Sequence, residues 1–375
     1  MNHTVVPAQE DGGATFLEIG QQPEAWRELA AGIDDTAHAF LREVIATPGL
    51  RVILTGAGSS AFAGTIVAPA LRRHLNCRVE AIATTSIVAG PLDHLEPGTP
   101  TLLVSFARSG NSPESLATTA LADDIVDRVW HLVLTCDRAG QLGRAHTGRA
   151  DSLVLYMPER TNDVGFAMTS SLTSMMLACL LTLAGTAPAA VEALARAAQS
   201  VIDRKADIRA LAQAKKQRFV YLGSGPLVGL ARESALKLLE LTAGEVVTYF
   251  DSPLGFRHGP KSVLDSDTLA VVYLSTDPHT RRYDLDMVAE IRGQLGSESV
   301  VVLSTEPVPA AAGDVVVLPG LEGLDDSTVA VAYLVFAQYL ALFTSLEYHK
   351  TPDNPFPSGE VSRVVKGVTI YPMER

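Results

Sequence analysis

The sequence predicts an α/β protein made of two tandem domains, each a parallel sheet flanked by helices. Two observations predict this fold class. Residues 51–60 (RVILTGAGSS) are matched further along the chain by residues 218–227 (RFVYLGSGPL), so the chain contains a repeat. Short and nearly continuous apolar runs also alternate with helical patterns, which is typical of parallel strands covered by helices on both faces.

Three more segment pairs extend the repeat over most of the chain. They are residues 101–105 with 268–272, 129–137 with 299–306, and 152–155 with 314–317. A repeat this long indicates two copies of one domain, which we expect to be flavodoxin-like, and not a solenoid of short units. A Gly/Ser-rich turn follows the first strand of each copy, at the edge where open α/β sheets bind ligands.

The repeat and the helical patterns divide the chain into five expected segments. Residues 1–20 show no clear periodicity and are expected to be poorly ordered, whereas 23–47 predict one amphipathic entry helix. Residues 175–187 are strongly apolar but too short to span a bilayer, so we expect a buried helix. The expected segments are an N-terminal segment with the entry helix (1–47), a first domain (48–190), a helical connector (191–217), a second domain (218–347) and a C-terminal tail (348–375).

Composition limits the class of protein and its partners. The 375 residues are 47% hydrophobic and 19% charged, as in a globular protein. The net charge of −12 argues against a nucleic-acid partner, because the phosphate backbone is bound by a basic face. Three widely spaced cysteines, with no C-x-x-C or H-E-x-x-H motif, predict reduced core thiols and no metal. We expect a cytoplasmic protein with no membrane span.

One turn in the first copy has the composition of a phosphate-binding site. Residues 105–114 (SFARSGNSPE) are predicted to link a strand to a helix, where backbone N–H groups and hydroxyls point toward the positive end of the helix dipole. Arg108 adds a guanidinium that can pair with phosphate oxygens. The alternative is that Ser112 only caps the helix and its neighbours shape the turn. The candidate binding residues are Arg108, Ser109, Asn111 and Ser112, with Ser59 and Ser60 on the opposite wall.

The second copy carries the candidate residues for proton transfer. Glu233, Lys237 and Glu240 are spaced so that they share one helix face, and Glu240 could act as a carboxylate base. The alternative is a solvated face with a Glu–Lys pair. His258 lies in a loop bounded by glycine and proline, where a histidine is either positioned or simply solvated. A base, an imidazole and a phosphate site are the groups needed for sugar-phosphate ring opening and proton transfer between C1 and C2.

Four longer motifs resemble one protein family over nearly the whole chain. They are FARSGNSPES, NDVGFAMTSS, SPLGFRHGPKS and NPFPSGEVSRVVKGVTIY. The chain resembles tandem sugar-isomerase (SIS) domain proteins, including the isomerase half of glucosamine-6-phosphate synthase. Within them it is most similar to the AgaS-type galactosamine-6-phosphate deaminase/isomerases, also labelled tagatose-6-phosphate ketose/aldose isomerases.

The resemblance implies a role for each candidate residue. Glu240 would move the proton between C1 and C2, Lys237 would lie one turn before it, and Glu233 would be the acidic residue at the start of that helix. His258 would open the sugar ring and, as in the synthase, be contributed by the neighbouring subunit of a dimer. Lys366, in the tail, would reach into the sugar site. Arg108 and the serines would hold phosphate.

The implied reaction converts galactosamine 6-phosphate and water to tagatose 6-phosphate and ammonia without a cofactor. The implied assembly is a homodimer with the active site at or near the subunit interface. Three departures stand out: Ala107 stands where the synthase has a hydroxyl, about two extra residues lie between the Glu240 and His258 positions, and this sequence shows no glutaminase domain before the repeat. The alternatives are an aldose–ketose isomerase on another hexose 6-phosphate, a glucosamine-6-phosphate deaminase, and a non-catalytic sugar-phosphate-binding regulator.

Overall fold

Two five-stranded sheets lie at the centre of the molecule. The computed structural model describes residues 12–308, 314–365 and 367–373, and the sheets lie within that part of the chain. The first sheet consists of β1 (Arg51–Thr55), β2 (Arg78–Ala81), β3 (Thr101–Ala107), β4 (Val129–Thr135) and β5 (Ser152–Tyr156), and the second of β6 (Arg218–Gly223), β7 (Val247–Asp251), β8 (Thr268–Tyr273), β9 (Val300–Ser304) and β10 (Asp314–Val317).

Both sheets have the same topology, which confirms the predicted fold class. The strand orders are β2-β1-β3-β4-β5 and, from the corresponding edge, β7-β6-β8-β9-β10, with every pair parallel. This is the flavodoxin-like order, in which the connections diverge between the first and third strands. The repeated segments of the sequence form β1 and β6, β3 and β8, β4 and β9, and β5 and β10. The edge strands β2 and β7 are partly exposed and were not predicted.

Helices cover the sheets and connect them. Those before and within the first half are α1 (Gly13–Gly20), α2 (Gln22–Gly32), α3 (Asp35–Ile45), α4 (Ser59–His74), α5 (Thr84–Ala89), α6 (Pro91–His94), α7 (Pro113–Ile125), α8 (Gln141–His146) and α9 (Ser170–Leu183). The later helices are α10 (Pro188–Asp203), α11 (Lys205–Gln213), α12 (Pro226–Leu241), α13 (Pro253–Phe256), α14 (Pro278–Leu295) and α15 (Asp326–Glu347).

The two halves share one hydrophobic core. Val52 on β1 and Tyr221 on β6 both point into it, together with α4, α9, α10, α12 and α15. The neighbouring residues Ile53 and Val220 point to the opposite faces, where each sheet has a smaller core of its own. Because adjacent strand residues alternate between faces, each sheet presents one apolar face to the other half. The second half therefore contributes side chains close to the ligand edge of the first.

Two apolar helices lie inside this shared core. Every residue of α9 is buried, so the predicted buried helix in this region is confirmed. Helix α15 has 22 residues and is apolar and long enough to cross a membrane, but it is almost entirely buried and packs against α10, α11 and α12. It is therefore a core helix of a soluble protein.

The N-terminal region differs from the prediction in two ways. Residues 13–20, expected to be poorly ordered, form α1, because Asp353 accepts hydrogen bonds from the free N–H groups of Ala14 (2.7 Å) and Thr15 (2.8 Å). Residues 23–47, expected to form one helix, form α2 and α3. Asp34 ends the continuity, because it is extended and its carboxylate caps α3 at the Ala37 N–H (2.9 Å).

Candidate active site

The candidate site lies where the first sheet's ligand edge meets a helix of the second half. Ser59 begins α4 directly after β1, and α4 packs against α12. The Ser59 hydroxyl donates to Glu233 Oε1 at 3.0 Å, and both side chains are buried. The turn is tight, since a Cβ at Gly56 would lie 2.6 Å from Ser60 Cβ. This contact joins a predicted phosphate wall to the predicted proton-transfer helix.

Glu233, Lys237 and Glu240 form a continuous ionic chain along one face of α12. Lys237 Nζ lies 3.5 Å from Glu233 Oε1 and 2.6 Å from Glu240 Oε2. The side chains of Glu233 and Lys237 are 0% and 1% exposed, whereas that of Glu240 is 27% exposed. The alternative of a solvated face is therefore wrong for this helix. Of these three side chains, only the Glu240 carboxylate is open to a ligand.

Burial shifts the acid–base properties of the inner pair. Burial, assisted by the nearby Glu240 carboxylate, raises the pKa of Glu233 to about 7, against the opposing effect of the Lys237 ammonium. Its Oε2 atom has no hydrogen-bond partner among the described residues. Burial alone would lower the pKa of Lys237, but Glu233 and Glu240 outweigh it and raise the pKa above its usual value. Lys237 is therefore charged at neutral pH and forms a close ion pair with Glu240.

The candidate phosphate turn adopts the predicted strand–turn–helix geometry, with one correction. Ser112 is the N-cap residue of α7, but its side chain makes no cap hydrogen bond and instead lies 2.7 Å from the Ser115 hydroxyl. Gly110 has a φ of 63°, a left-handed conformation that favours glycine. Asn111 Oδ1 accepts from the Gln141 N–H at 3.0 Å, and Ser109 Oγ accepts from the Asn111 N–H at 3.3 Å. These contacts hold the turn in one shape.

Arg108 connects the turn to two distant segments. Its guanidinium is buried, and it donates to the carbonyl oxygens of Phe166 (3.3 Å) and Arg363 (3.0 Å). The Arg363 guanidinium in turn donates to the carbonyl oxygen of Asp163. Burial, followed by the nearby Arg363 charge, lowers the pKa of Arg108. Sequence reasoning missed Arg363 and Asp163, although both lie in the long motifs that carry the family resemblance.

Two candidate residues are less closely tied to this cluster, and the structure does not describe a third. Ser60 Oγ is 3.8 Å from Met168 Sδ. His258 is exposed in the turn after α13, and no hydrogen bond or ion pair of the described residues connects its imidazole to Glu240. Lys366 lies outside the described residues. Within the part of the chain that the structure describes, no group of His, Cys, Asp and Glu has the arrangement of a metal site.

The equivalent edge of the second sheet is filled by its own carboxylates. Asp284 accepts from the Ser224 hydroxyl (2.5 Å) and the Ser275 N–H (2.9 Å). Asp326 accepts from the Ser275 hydroxyl (2.6 Å) and the Thr276 N–H (2.7 Å). These carboxylates use the donors that follow β6 and β8 and would repel an anion. The candidate anion turn therefore lies in the first copy, and the candidate proton-transfer helix α12 lies in the second.

Comparison with known proteins assigns the family. The SIS domain family matches residues 45–185. A Streptomyces coelicolor protein named AgaS is 52% identical over 98% of this chain and 97% of its own. The D-galactosamine-6-phosphate deaminase AgaS of a Shewanella species is 43% identical over 96% of this chain and 92% of its own. The chain belongs to the AgaS branch of the SIS-domain family.

A solved structure of the AgaS branch supports the same assignment. The tagatose-6-phosphate ketose/aldose isomerase of Escherichia coli superposes with a TM-score of 0.91, is 42% identical and covers 100% of both chains. The likeness therefore includes α1 and α12 as well as the two sheets. The family resemblance read from the four motifs is confirmed.

Proposed function

We propose that this chain is a galactosamine-6-phosphate deaminase/isomerase that converts galactosamine 6-phosphate and water to tagatose 6-phosphate and ammonia. The relatives' names support the substrate. The observation that carries the reaction is the Glu240 carboxylate, the one partly exposed member of the ionic chain, 2.6 Å from a buried ammonium. A carboxylate that lies beside an ammonium and is open to a ligand is suited to removing a proton next to a carbonyl group.

The reaction needs a proton transfer from C2 to C1 and one hydrolysis. Glu240 takes the proton from C2 of the ring-opened aldose while the C1 oxygen gains a proton, which gives an enolamine. Glu240 then returns its proton to C1 while the nitrogen loses one, so that C1 becomes a CH2OH group and C2 becomes an imine. Water then adds to the C2 imine, and the nitrogen leaves as ammonia. Lys237 and, in this proposal, Lys366 offset the negative charge that develops on oxygen during the transfer. No oxidation or reduction takes place.

The phosphate group is proposed to bind at the start of α7. Arg108 supplies a charged donor there, and the turn residues Ser109, Asn111 and Ser112 supply hydroxyl, amide and backbone donors. Ser59 and Ser60 form the other wall of this pocket. This placement directs C1 and C2 of the sugar toward Glu240, because Ser59 already contacts Glu233 on the same helix face.

The proposal assigns ring opening to His258 and places this residue at the interface of a dimer. His258 is exposed on a short turn, which suits a residue that completes the site of a second copy. The proposed enzyme is a cytoplasmic homodimer in which His258 of one subunit assists ring opening in the other. Subunits of a two-fold dimer exchange such contacts reciprocally, so the dimer would contain two equivalent sites.

An assay that couples ammonia release to a signal, run on a small panel of sugar phosphates, tests the function. We expect ammonia release from galactosamine 6-phosphate to exceed release from glucosamine 6-phosphate, with tagatose 6-phosphate as the carbon product. A second candidate is a plain aldose–ketose isomerase, because the E. coli structure carries that name and the proton transfer is the same. Isomerisation of tagatose 6-phosphate without ammonia release from any amino sugar would favour that candidate. Tight binding without turnover would favour a regulator.

A further inference from the structure

The position of Arg108 depends on a short segment before α9. The Arg108 guanidinium donates to the Phe166 carbonyl at 3.3 Å, and Phe166 directly follows Val164 and Gly165. The N–H donors of arginine lie in one plane with a fixed geometry. A carbonyl that accepts from them therefore fixes the orientation of the guanidinium plane. Any shift of residues 164–166 is therefore transmitted to the group proposed to bind phosphate.

Helix α1 holds this segment through Glu18. Glu18 Oε1 accepts from the backbone N–H groups of Val164 (2.5 Å) and Gly165 (3.1 Å). The packing is close, since a Cβ at Gly165 would lie 2.5 Å from Thr15 Oγ1 and 2.8 Å from Glu18 Oε2. One carboxylate thus holds two consecutive peptide groups, and the carbonyl of the following residue, Phe166, is the one that contacts Arg108.

The C-terminal tail closes a ring of contacts around Arg108. Asp353 holds the start of α1 through the Thr15 N–H (2.8 Å) and the Thr15 hydroxyl (2.7 Å). Further along the tail, the Arg363 carbonyl accepts from Arg108 at 3.0 Å. The ring therefore runs from the tail through α1, Glu18 and the 164–166 segment to Arg108 and back to the tail.

We propose that Glu18 is a positioning residue for Arg108. It holds residues 164–166 so that the Arg108 guanidinium faces the phosphate group, and it acts on substrate binding without acting on proton transfer. The inference rests on the proposed function in one respect, which is that Arg108 contacts the phosphate group. Glu18 itself does not touch the substrate.

The surroundings of Glu18 make this link sensitive to pH. Asp163 from the loop and Asp353 from the tail face it, and the Arg363 guanidinium binds the Asp163 carbonyl. Burial first, and then the charges of Asp163 and Asp353, raise the pKa of Glu18 to about 7, against the opposing hydrogen bonds from the two N–H groups. Protonation removes a charge-assisted acceptor. We therefore expect the hydrogen bonds between Glu18 and the 164–166 segment to weaken as the pH falls through about 7.

The test is Glu18→Gln, which keeps the shape but removes the charge. At pH 8 the Kd for inorganic phosphate and the KM for the sugar phosphate should both rise about tenfold, while kcat changes less than about twofold. The ratio of variant to wild-type Kd should fall toward one at pH 6, and the ligand's own titration cancels in that ratio. Glu43→Gln, at an exposed position on α3, should match the wild type.

A second variant keeps the test decisive if Glu18→Gln folds poorly. Gly165→Ala leaves Glu18 intact but displaces the segment from α1, and it should also raise the Kd for phosphate with kcat retained. An unchanged Kd in both variants, or a kcat that falls as much as KM rises, would overturn the proposal. Altered phosphate binding in an enzyme that releases no ammonia would support the positioning role and contradict only the proposed function. Absence of phosphate binding to the wild type would refute the assigned role of Arg108 and, with it, this inference.

Discussion

Lys237 Nζ lies 2.6 Å from Glu240 Oε2, so a buried ammonium is paired with the carboxylate at the mouth of the site. The same nitrogen lies 3.5 Å from Glu233 Oε1, deeper in the protein. Because the inner acid is fully buried and the outer one is not, the two carboxylates have different environments although they share one cation.

Replacement of the proposed base should separate binding from chemistry. Glu240→Gln keeps the size of the side chain but cannot accept the C2 proton, so we expect kcat to fall about 10³-fold. The Kd for the sugar phosphate should remain within about threefold, since phosphate binding is assigned to the Arg108 turn. Ammonia release and calorimetric titration measure the two quantities. Equal losses of binding and turnover would contradict the role of Glu240.

Removal of the shared cation should destabilise the fold. Lys237→Met leaves two neighbouring carboxylates without their ammonium, and breaking a buried ion pair from one side costs about 3–5 kcal/mol. Chemical denaturation measures the loss in the free energy of unfolding. The double variant Glu233→Gln, Lys237→Met should recover part of that loss, because it also removes the buried charge. A double variant no more stable than Lys237→Met would argue against this pairing.

The buried acids should make stability depend on pH in a defined direction. Burial raises the pKa of Glu233 to about 7 in the folded protein, from its ordinary value of 4.5, so the folded state retains a proton that the unfolded state releases between these values. The free energy of unfolding should therefore fall as the pH rises from about 4.5 to about 7, by an amount on the order of 3 kcal/mol for this group. Glu18 acts in the same direction. Glu233→Gln should reduce the fall in the free energy of unfolding between these pH values, which chemical denaturation at several pH values measures. The same pH dependence in the variant as in the wild type would contradict the raised pKa of Glu233.

Mixing two inactive variants tests where His258 acts. His258 is exposed, so His258→Asn should leave the free energy of unfolding within about 0.5 kcal/mol of the wild type. If His258 acts across a dimer, a subunit with Glu240→Gln and a subunit with His258→Asn together contain one intact site. An equal, fully exchanged mixture should then recover about a quarter of the wild-type activity. No recovery after confirmed subunit exchange would assign His258 to its own subunit.

Local patterns were sufficient for the scaffold and for one helix face. The strands β1, β3 and β4 are short apolar runs, and their alternation with helices is visible in any window of the sequence. The spacing of Glu233, Lys237 and Glu240 likewise predicts that they share a face. Their burial could not be predicted, because it comes from the packing of α12 against α4 and α15, which are distant in sequence.

Long-range contacts account for what sequence reasoning missed. Glu18, Asp163 and Arg363 carry no local signal, and each reaches the Arg108 region through a contact between segments far apart in the chain. Helix α1 itself depends on Asp353, which lies 338 residues after Thr15 in the sequence. Such pairings are decided by the tertiary fold.

The sequence by itself determined the repeat and the parallel α/β class, because strand and helix periodicity are local properties. That the chemistry is divided between the two copies stays a prediction from the composition of their turns and helices. The tertiary structure alone decided that the copies share one core and that Glu233 and Lys237 are buried while Glu240 is partly exposed. It also decided that carboxylates occupy the ligand edge of the second sheet. The physical reason is that burial and charge pairing depend on which surfaces meet, and those surfaces come from segments that only the folded chain brings together.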